Sequence, residues 1–354
     1  MTDATTESKQ LAFVLDIDGC LSREGIPIPS AKAALHRLRS TNTPFVFCTN
    51  GGGQLESQRA EKLSKTFDLE VSPDQIILSH TPLREEVVER LKDERVLIVG
   101  ENCGPVARAY GLAKALEVSE FGKRHPSLFP RRREAENPPT LDDDDGPVKA
   151  VLFFEDPEDL GEALQVVLDV ILTNGDPSGK RVLVEDSTVE QEVEVWFTNP
   201  DLVYSGLATN PRLTQGSYRL CLETLFQCAT SSTSTSYYSM QHSESSTTSE
   251  QTRTPKRKLI SNTVGKPTPL TGRTALNKIL SQCTNNTTEE DLEIWTVGDN
   301  PFSDVALALM MGWNAGLVKT GIWDGDVESL EKENAVPTRI VDDVGVLIGQ
   351  LLPE

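Results

Sequence analysis

Short, continuous apolar runs alternate with longer segments of helical spacing along the first part of this chain. The apolar runs cover residues 11–15, 44–48 and 75–78, and the segments at 30–39 and 54–67 carry apolar residues on one helical face. Strands that are apolar throughout are buried on both faces, as in a parallel sheet with helices on either side. The pattern therefore predicts an α/β fold built on a doubly wound parallel sheet.

A second pattern of the same kind follows. It starts with the apolar run at residues 95–100, continues through 148–154 and a helix at 160–172, and ends with the run at 193–201. Later helix and strand signals lie at residues 217–227, 259–263 and 271–280, followed by an apolar run that ends at 298. The length is comfortable for two domains, and the repeated pattern predicts that both are α/β.

Two strongly polar tracts interrupt these patterns. Residues 118–147 mix basic and acidic clusters with prolines, and residues 230–254 contain 16 Ser or Thr in 25 positions. Neither tract has enough apolar surface to order itself by burial. We therefore predict a mobile loop at about 118–147 and a disordered Ser/Thr-rich loop at about 230–254.

The net charge of the chain argues against two classes of binding partner. The 354-residue chain carries a net charge of −20, which repels nucleic acid and anionic membrane surfaces, so we expect neither as a partner. No apolar run approaches the ~18 residues needed to cross a bilayer. An acidic protein can still bind an anion where a metal ion and one or two cationic side chains supply local positive charge.

The cysteines and the first residues bear on the compartment. The six cysteines form no CxxC pair and suit reduced thiols in a cytosolic-type protein. The first ten residues contain Asp3 and Glu7 and no arginine, which is unlike a signal or transit peptide. The sequence therefore predicts a cytoplasmic protein, and it is silent on the oligomeric state.

Polar residues follow the end of each predicted core strand. In a doubly wound sheet the carboxyl ends of the strands face one crevice, where ligands bind. The residues expected to meet there are Asp16, Asp18, Thr49, Asn50, Gly51, Lys266, Asp299, Asn300 and Asp304. Four carboxylates in one crevice require a cation, and an oxygen-only set of ligands suits Mg²⁺.

This set of groups suits one kind of chemistry. A carboxylate beside bound Mg²⁺ stays ionised and can attack phosphorus, which gives an acyl phosphate. A second carboxylate two residues away, Asp18 after Asp16, can protonate the leaving alcohol and then activate water. A Thr hydroxyl, backbone N–H groups and a Lys ammonium can bind the phosphoryl oxygens as charge spreads over them. The set therefore predicts a phosphatase of a small phosphorylated metabolite.

Four short motifs that carry these residues resemble those of the haloacid dehalogenase superfamily of Mg²⁺-dependent phosphatases. In chain order they are DIDGCL at residues 16–21, TNGGG at 49–53, GKP at 265–267 and GDNPFSD at 298–304. The FTNPD segment at 197–201 is similar to the end of the cap domain in class IIA members. Within that class the chain most resembles the cat-eye-syndrome critical region 5-like family.

The resemblance implies a role for each residue. Asp16 would be the nucleophile and a metal ligand, and Asp18 the general acid and base, with its backbone carbonyl on the metal. Asp299 would ligate Mg²⁺. The other implied groups are Thr49, Asn50, Gly51 and Lys266 for phosphate binding, Asp304 and Asn300 in support, and Asn199 and Asp201 of the cap near the leaving group.

The resemblance also implies a Rossmann-like core with an inserted α/β cap domain of the C2 type. The expected core covers residues 9–94 and 213–354, and the expected cap covers 95–212. Relatives in this family are often mitochondrial, which is the alternative to a cytoplasmic protein. Some relatives are linked to glycerophospholipid metabolism.

Two other functions stay open at this point. One is a catalytically weak or non-enzymatic relative that binds Mg²⁺ and anions and uses the cap for interactions, although a pure binder has no need of Asp18. The other is a phospho-accepting receiver module, which is much shorter and has no cap. A dehalogenase is disfavoured, because hydrolysis of a carbon–halogen bond needs neither Asp18 nor Mg²⁺.

Overall fold

Two compact units make up the part of the chain that the structure describes. The computed structural model describes residues 9–130, 146–185, 188–204, 206–230, 257–323 and 325–353. The core unit comprises Met1–Leu83, Asn199–Leu213 and Val264–Glu354. The inserted unit comprises Arg84–Thr198 and Thr214–Thr263. Each unit is built on one large parallel sheet.

Strands and helices alternate along the described residues. The strands are β1 (Gln10–Leu15), β2 (Ser22–Arg23), β3 (Ile26–Pro27), β4 (Phe45–Cys48), β5 (Ile76–Ile77), β6 (Val96–Val99), β7 (Ala115–Glu117), β8 (Ala150–Phe153), β9 (Glu194–Phe197), β10 (Val203–Tyr204), β11 (Arg212–Leu213), β12 (Asn262–Thr263), β13 (Leu292–Gly298), β14 (Asn314–Val318) and β15 (Arg339–Val341).

The α-helices are α1 (Ala31–Ser40), α2 (Glu56–Phe67), α3 (Glu89–Leu91), α4 (Cys103–Tyr110), α5 (Val118–Arg124), α6 (Leu160–Leu172), α7 (Val182–Glu185), α8 (Gln215–Ala229), α9 (Pro269–Leu280), α10 (Ala306–Met311), α11 (Val327–Lys332) and α12 (Val344–Leu351). Single 3₁₀ or π-helical turns occur at Pro73–Gln75, Arg84–Val88, Glu289–Asp291 and Pro301–Val305. None of these helices combines the length and the apolar character that crossing a bilayer requires.

Six parallel strands form the core sheet, in the order β15-β14-β13-β1-β4-β5. Successive side chains of β1 pack on opposite faces. Phe13 and Leu15 lie with Leu35 of α1 in one apolar cluster, whereas Val14 lies with Ile279 of α9 in another. Both faces of the strand are therefore buried, which explains why its sequence is apolar without alternation. The predicted doubly wound parallel sheet is confirmed.

Five parallel strands form the sheet of the inserted unit, in the order β12-β9-β8-β6-β7. Phe153 of β8 and Phe197 of β9 stack with 4.3 Å between their ring centroids. Helix α6 contacts both α5 and α8 as well as contributing Val166 and Ile171 to the apolar cluster over the sheet. These neighbours explain why the sequence of α6 is apolar around most of its circumference.

The unit boundaries differ from the predicted insertion at residues 95–212. The inserted unit begins at Arg84, and it includes residues 214–263, which the sequence assigns to the core. Packing is the reason, because Phe226 of α8 lies in the apolar cluster of the inserted unit and β12 pairs with β9. Conversely, residues 199–213 belong to the core unit, since the chain leaves the inserted sheet after β9.

The two predicted loops have different outcomes. Helix α5 lies inside the first tract, because Val118 and Phe121 are buried on one helical face, so the predicted loop begins too early. Residues 131–145 of that tract lie outside the described residues, as do residues 231–254 of the Ser/Thr-rich tract. Thr230, the first residue of that tract, is described and is the C-cap of helix α8.

Burial of Phe47 provides a test of the core packing. Phe47 of β4 is 0% exposed, and its ring lies edge-on to that of Phe45 with 5.5 Å between centroids. We expect Phe47→Ala to lower the free energy of unfolding in urea by about 3–5 kcal/mol, because lost apolar contacts leave a cavity. Phe302→Ala is the matched control in the same unit. Phe302 is 57% exposed, and we expect a change within about 0.5 kcal/mol. Equal losses in the two variants would contradict this packing.

Candidate active site

Adjacent strands of the core sheet bring Asp16 and Asp299 together. Asp16 follows the last residue of β1, and Asp299 follows the last residue of β13. In these parallel neighbours Leu15 lies beside Val297, and the Asp16 N–H donates to the Val297 carbonyl at 2.8 Å. The register of the sheet therefore places both carboxylates at the edge that the C-terminal ends of the parallel strands form.

A buried lysine joins this edge. The Lys266 ammonium lies 2.5 Å from Asp16 Oδ1 and 2.6 Å from Asp304 Oδ1, and none of the three side chains is more than 8% exposed. Asn50 holds the lysine backbone: its Oδ1 accepts from the Lys266 N–H at 2.7 Å, and its Nδ2 donates to the Lys266 carbonyl at 3.0 Å. Lys266 thus connects the loops that follow β1, β4 and β13.

Two glycines make room for the carboxylates. A Cβ atom at Gly298 would lie 2.0 Å from Asp304 Oδ2, and one at Gly321 would lie 1.8 Å from Asp299 Oδ2. Asp299 Oδ2 also accepts from the Ile322 N–H at 2.6 Å. Each carboxylate is therefore packed against backbone at a point where no side chain fits.

The cluster carries more negative than positive charge. Asp16, Asp299 and Asp304 are buried, and each offers an oxygen within 4.8 Å of the others, against one ammonium from Lys266. Burial raises the pKa of Asp16 well above its usual range, and it raises the pKa of Asp299 to about 7, with the charge of Asp304 adding to the second shift. Burial alone would lower the pKa of Lys266, but the carboxylates of Asp16 and Asp304 raise it well above its usual range.

This set of donors fits a small, hard divalent cation. The three aspartates offer oxygen alone, and oxygen ligands at high negative charge are typical of Mg²⁺ sites. With all three ionised, pairing with Lys266 leaves two negative charges, whose burial a divalent cation would offset. The donors that lie together are Asp16, Asp299 and Asp304, whereas the Asp18 side chain lies apart from them.

The Asp18 side chain faces a different neighbour. It is 42% exposed, and its Oδ2 accepts from Arg59 Nη2 at 3.2 Å. Arg59 belongs to α2, its side chain is 12% exposed, and its buried Nε has no hydrogen-bond partner among the described residues. Arg59 is not among the site residues that the sequence predicts, because an arginine on an amphipathic helix is typical of a solvated face. The start of α2 soon after the TNGGG motif is the one signal that indicates it.

The loop after β4 carries the predicted phosphate-binding residues. Thr49 is buried, its N–H donates to the Ile77 carbonyl at 3.0 Å, and its Oγ1 accepts from the Gly51 N–H at 3.0 Å. A Cβ atom at Gly51 would lie 3.9 Å from Asp18 Oδ2. The loop therefore adjoins the turn that carries Asp18, and the absence of a side chain at Gly51 leaves space beside that carboxylate.

Asn199 and Asp201 lie in the core unit, not in the inserted unit to which the sequence assigns them. Asp201 accepts from Asn50 Nδ2 at 2.9 Å and from Asn300 Nδ2 at 3.4 Å. Asn199 stabilises the turn, since its Oδ1 accepts from the Asp201 N–H at 2.8 Å. Asp201 thus ties the loop after β4 to the loop after β13, and its contact with a leaving group stays a prediction.

The titration of Asp201 predicts a pH-dependent stability difference. Burial raises the pKa of this carboxyl from 3.8 to about 6. The folded protein then binds the proton more tightly than the unfolded chain, so the stabilisation is complete below about pH 4 and is lost as pH rises through about 6. The asparagine of Asp201→Asn stays neutral at every pH. In urea titrations we therefore expect the free energy of unfolding of this variant, relative to that of wild type, to rise by about 2–3 kcal/mol as the pH increases from about 4 to about 7. For Asp342→Asn, whose side chain is 78% exposed, we expect no comparable gain. A difference for Asp201→Asn that does not vary with pH would contradict the prediction.

Two family models match the chain. The model for haloacid dehalogenase-like hydrolases matches residues 13–113, and a second model, HAD-hydrolase-like, matches residues 263–347. The first segment contains Asp16, Asp18 and Thr49, and the second contains Lys266 and Asp299. The matched segments therefore hold the carboxylate cluster and its lysine.

Relatives match over nearly the whole chain. The chain is 30% identical over 365 residues to a mitochondrial hydrolase of Saccharomyces cerevisiae. The alignment covers 96% of this chain and 94% of that protein. The chain is also 31% identical over 336 residues to a cardiolipin synthase (CMP-forming)/mitochondrial hydrolase fusion protein of Schizosaccharomyces pombe. That alignment covers 92% of this chain and 51% of the fusion protein. The solved structure of the p-nitrophenyl phosphatase from Archaeoglobus fulgidus shares the fold with a TM-score of 0.61 at 17% identity, over 97% of this chain and 100% of that one. The chain belongs to the haloacid dehalogenase-like hydrolases.

Proposed function

We propose that this hydrolase is a Mg²⁺-dependent phosphatase of a small phosphorylated metabolite and acts through an aspartyl-phosphate intermediate. One observation carries the proposal: Asp16, Asp299 and Asp304 are buried together around Lys266. This arrangement combines a nucleophile, donors for a metal ion and a cation for phosphate binding. The likeness to a p-nitrophenyl phosphatase supports it. Placement in class IIA and in the cat-eye-syndrome critical region 5-like family stays a prediction.

Asp16, Asp299 and the backbone carbonyl of Asp18 would hold Mg²⁺, with Asp304 in support. When bound, the ion supplies the positive charge that lets a phosphate dianion approach a crevice of carboxylates. Asp304 also keeps the Lys266 ammonium in place through the 2.6 Å ion pair. The four aspartates therefore divide into one nucleophile, one acid–base group and two groups that organise charge.

The phosphoryl oxygens would bind to the Lys266 ammonium, the Thr49 hydroxyl and the backbone N–H groups of Asn50 and Gly51, with the Gly51 N–H exchanging its bond to Thr49 Oγ1 for one to the phosphate. The Asn50 side chain already bonds to the Lys266 backbone and to Asp201, so Asn50 contributes to the substrate through its backbone. These donors stabilise the charge that spreads over the phosphoryl oxygens in the transition state.

Two displacements at phosphorus complete the reaction. In the first, an Asp16 oxygen forms a bond to phosphorus, the ester P–O bond breaks, and Asp18 gives its proton to the departing alcohol oxygen. In the second, a water oxygen attacks the phosphorus of the acyl phosphate, Asp18 takes a proton from that water, and the bond to Asp16 breaks. Inorganic phosphate leaves and both carboxyl groups return to their initial states. Arg59 would act as a positioning residue, because its contact with Asp18 restrains that carboxylate.

Loss of the nucleophile tests the mechanism. We expect wild type to release phosphate from p-nitrophenyl phosphate with Mg²⁺ and not with excess EDTA. We expect Asp16→Asn to lower kcat/KM by at least about a thousandfold, because an amide cannot form the covalent intermediate. Asp342→Asn is the matched control, since this aspartate is exposed and pairs with Lys319 at the surface. We expect it to keep wild-type activity.

Three outcomes of that assay separate the alternatives. Wild-type activity in Asp16→Asn would refute the nucleophile. Activity that persists in EDTA would refute the need for a metal ion. Wild type that binds Mg²⁺ in calorimetry but releases no phosphate from p-nitrophenyl phosphate or from a broad set of phosphorylated metabolites would favour the non-enzymatic binding protein.

We further propose a mitochondrial location, in place of the cytoplasmic location that the first residues predict. The support is the word mitochondrial in the names of two relatives, one of them a fusion with cardiolipin synthase, which also agrees with the link to glycerophospholipid metabolism. A fluorescent protein fused to the C-terminus of the full open reading frame tests this location in living cells. We expect its fluorescence to overlap that of a mitochondrial dye. A diffuse signal would instead support the cytoplasmic location.

A further inference from the structure

A cavity of about 480 Å³ lies in the core unit next to the carboxylate cluster. Three of its lining residues are connected directly to that cluster. Pro267 follows Lys266, Asn300 follows Asp299, and the Ile322 N–H donates to Asp299 Oδ2 at 2.6 Å. The cavity and the cluster therefore share a wall. Its volume falls in the range of about 300–1,000 Å³ that is typical of small-molecule sites.

Most of the wall of this cavity is apolar. Leu202, Phe302, Ile322, Trp323 and Leu330 all contribute to it. Leu202 is 49% exposed and Phe302 is 57% exposed. Covering such side chains with an apolar group removes hydrocarbon surface from water, which is favourable. A polar group gains nothing from the same contact.

Few polar groups of the wall are available to a ligand. Asp201 and Asn300 bond to each other at 3.4 Å, and the Ser329 hydroxyl donates to the Asp326 carbonyl at 2.9 Å. The Trp323 indole N–H has no acceptor among the described residues, but its nitrogen is buried within the wall and is not accessible from the cavity. A sugar or polyol in this cavity would lose more hydrogen bonds to water than it regained, whereas an alkyl or aryl group would lose none.

We propose that this cavity binds the apolar alkyl or aryl group of the phosphate ester, an inference that rests on the phosphatase function proposed above. The phosphate lies at Asp16 and Lys266, and the organic group covers Leu202 and Phe302. The preferred substrates are therefore phosphate monoesters of apolar alcohols, in preference to sugar phosphates.

A series of n-alkyl phosphates tests this preference. Methyl, butyl, hexyl and octyl phosphate have leaving groups of nearly equal basicity, so differences in kcat/KM report binding of the chain rather than reactivity. With Mg²⁺ present, we expect kcat/KM to rise about three- to fourfold for each added CH₂ until the cavity is full. Glycerol 3-phosphate serves as the polar comparison, and we expect it to be a poorer substrate than butyl phosphate.

Matched variants locate the effect in this cavity. We expect Phe302→Ser to lower the ratio of kcat/KM for hexyl phosphate to that for methyl phosphate by about tenfold, because part of the apolar wall is lost. Leu207→Ser is the control, since Leu207 is 65% exposed in the same unit and is not part of the wall. We expect it to leave the ratio unchanged.

These assays distinguish an error in the role of the cavity from an error in the proposed phosphatase activity. Turnover of all alkyl phosphates at similar kcat/KM, or a better rate with glycerol 3-phosphate, would overturn the apolar cavity and leave the phosphatase intact. An equal fall of the ratio in Leu207→Ser would also overturn it. No turnover of any phosphate ester, p-nitrophenyl phosphate included, would overturn both.

Discussion

The ion pairs of one buried ammonium with two buried carboxylates are the constraint on which the core unit depends. Lys266 contacts Asp16, 250 residues before it, and Asp304, 38 residues after it. Charges this deeply buried are tolerated only when they are paired and hydrogen-bonded, and removal of one partner typically costs about 3–5 kcal/mol. The pairs therefore specify which loops of a long chain come together at one edge of the sheet.

The same cluster is poorly suited to stability alone. A charge-balanced or apolar edge would be cheaper to bury than three carboxylates with one ammonium. Gly298 and Gly321 show how closely the backbone is shaped around this excess charge, since no Cβ atom fits at either position. Such a local conflict between charge and burial is typical of functional sites, where groups that the reaction requires lower the stability of the fold.

The sequence predicts the core sheet, and the fold brings together three of the four carboxylates expected at its edge, for a physical reason. Strands such as β1 must be apolar on both faces, and a register in which Leu15 lies beside Val297 forces Asp16 and Asp299 together. Other features depend on packing that periodicity does not encode. Helix α8 is amphipathic, but nothing in its pattern says which sheet it covers. Arg59 looks like a surface residue until the fold sets it beside Asp18.

The pairing of β1 with β13 also has a consequence for how the chain is made. Gln10 lies beside Leu292, 282 residues later in the chain. At synthesis rates of about 5–20 residues per second, the ribosome takes roughly 15–60 s to produce the second strand after the first. Throughout that interval β1, which is apolar on both faces, has one edge without its partner, and an open apolar strand edge invites pairing with other chains. The yield of folded protein therefore depends on how well that edge is shielded while the inserted unit is still being translated.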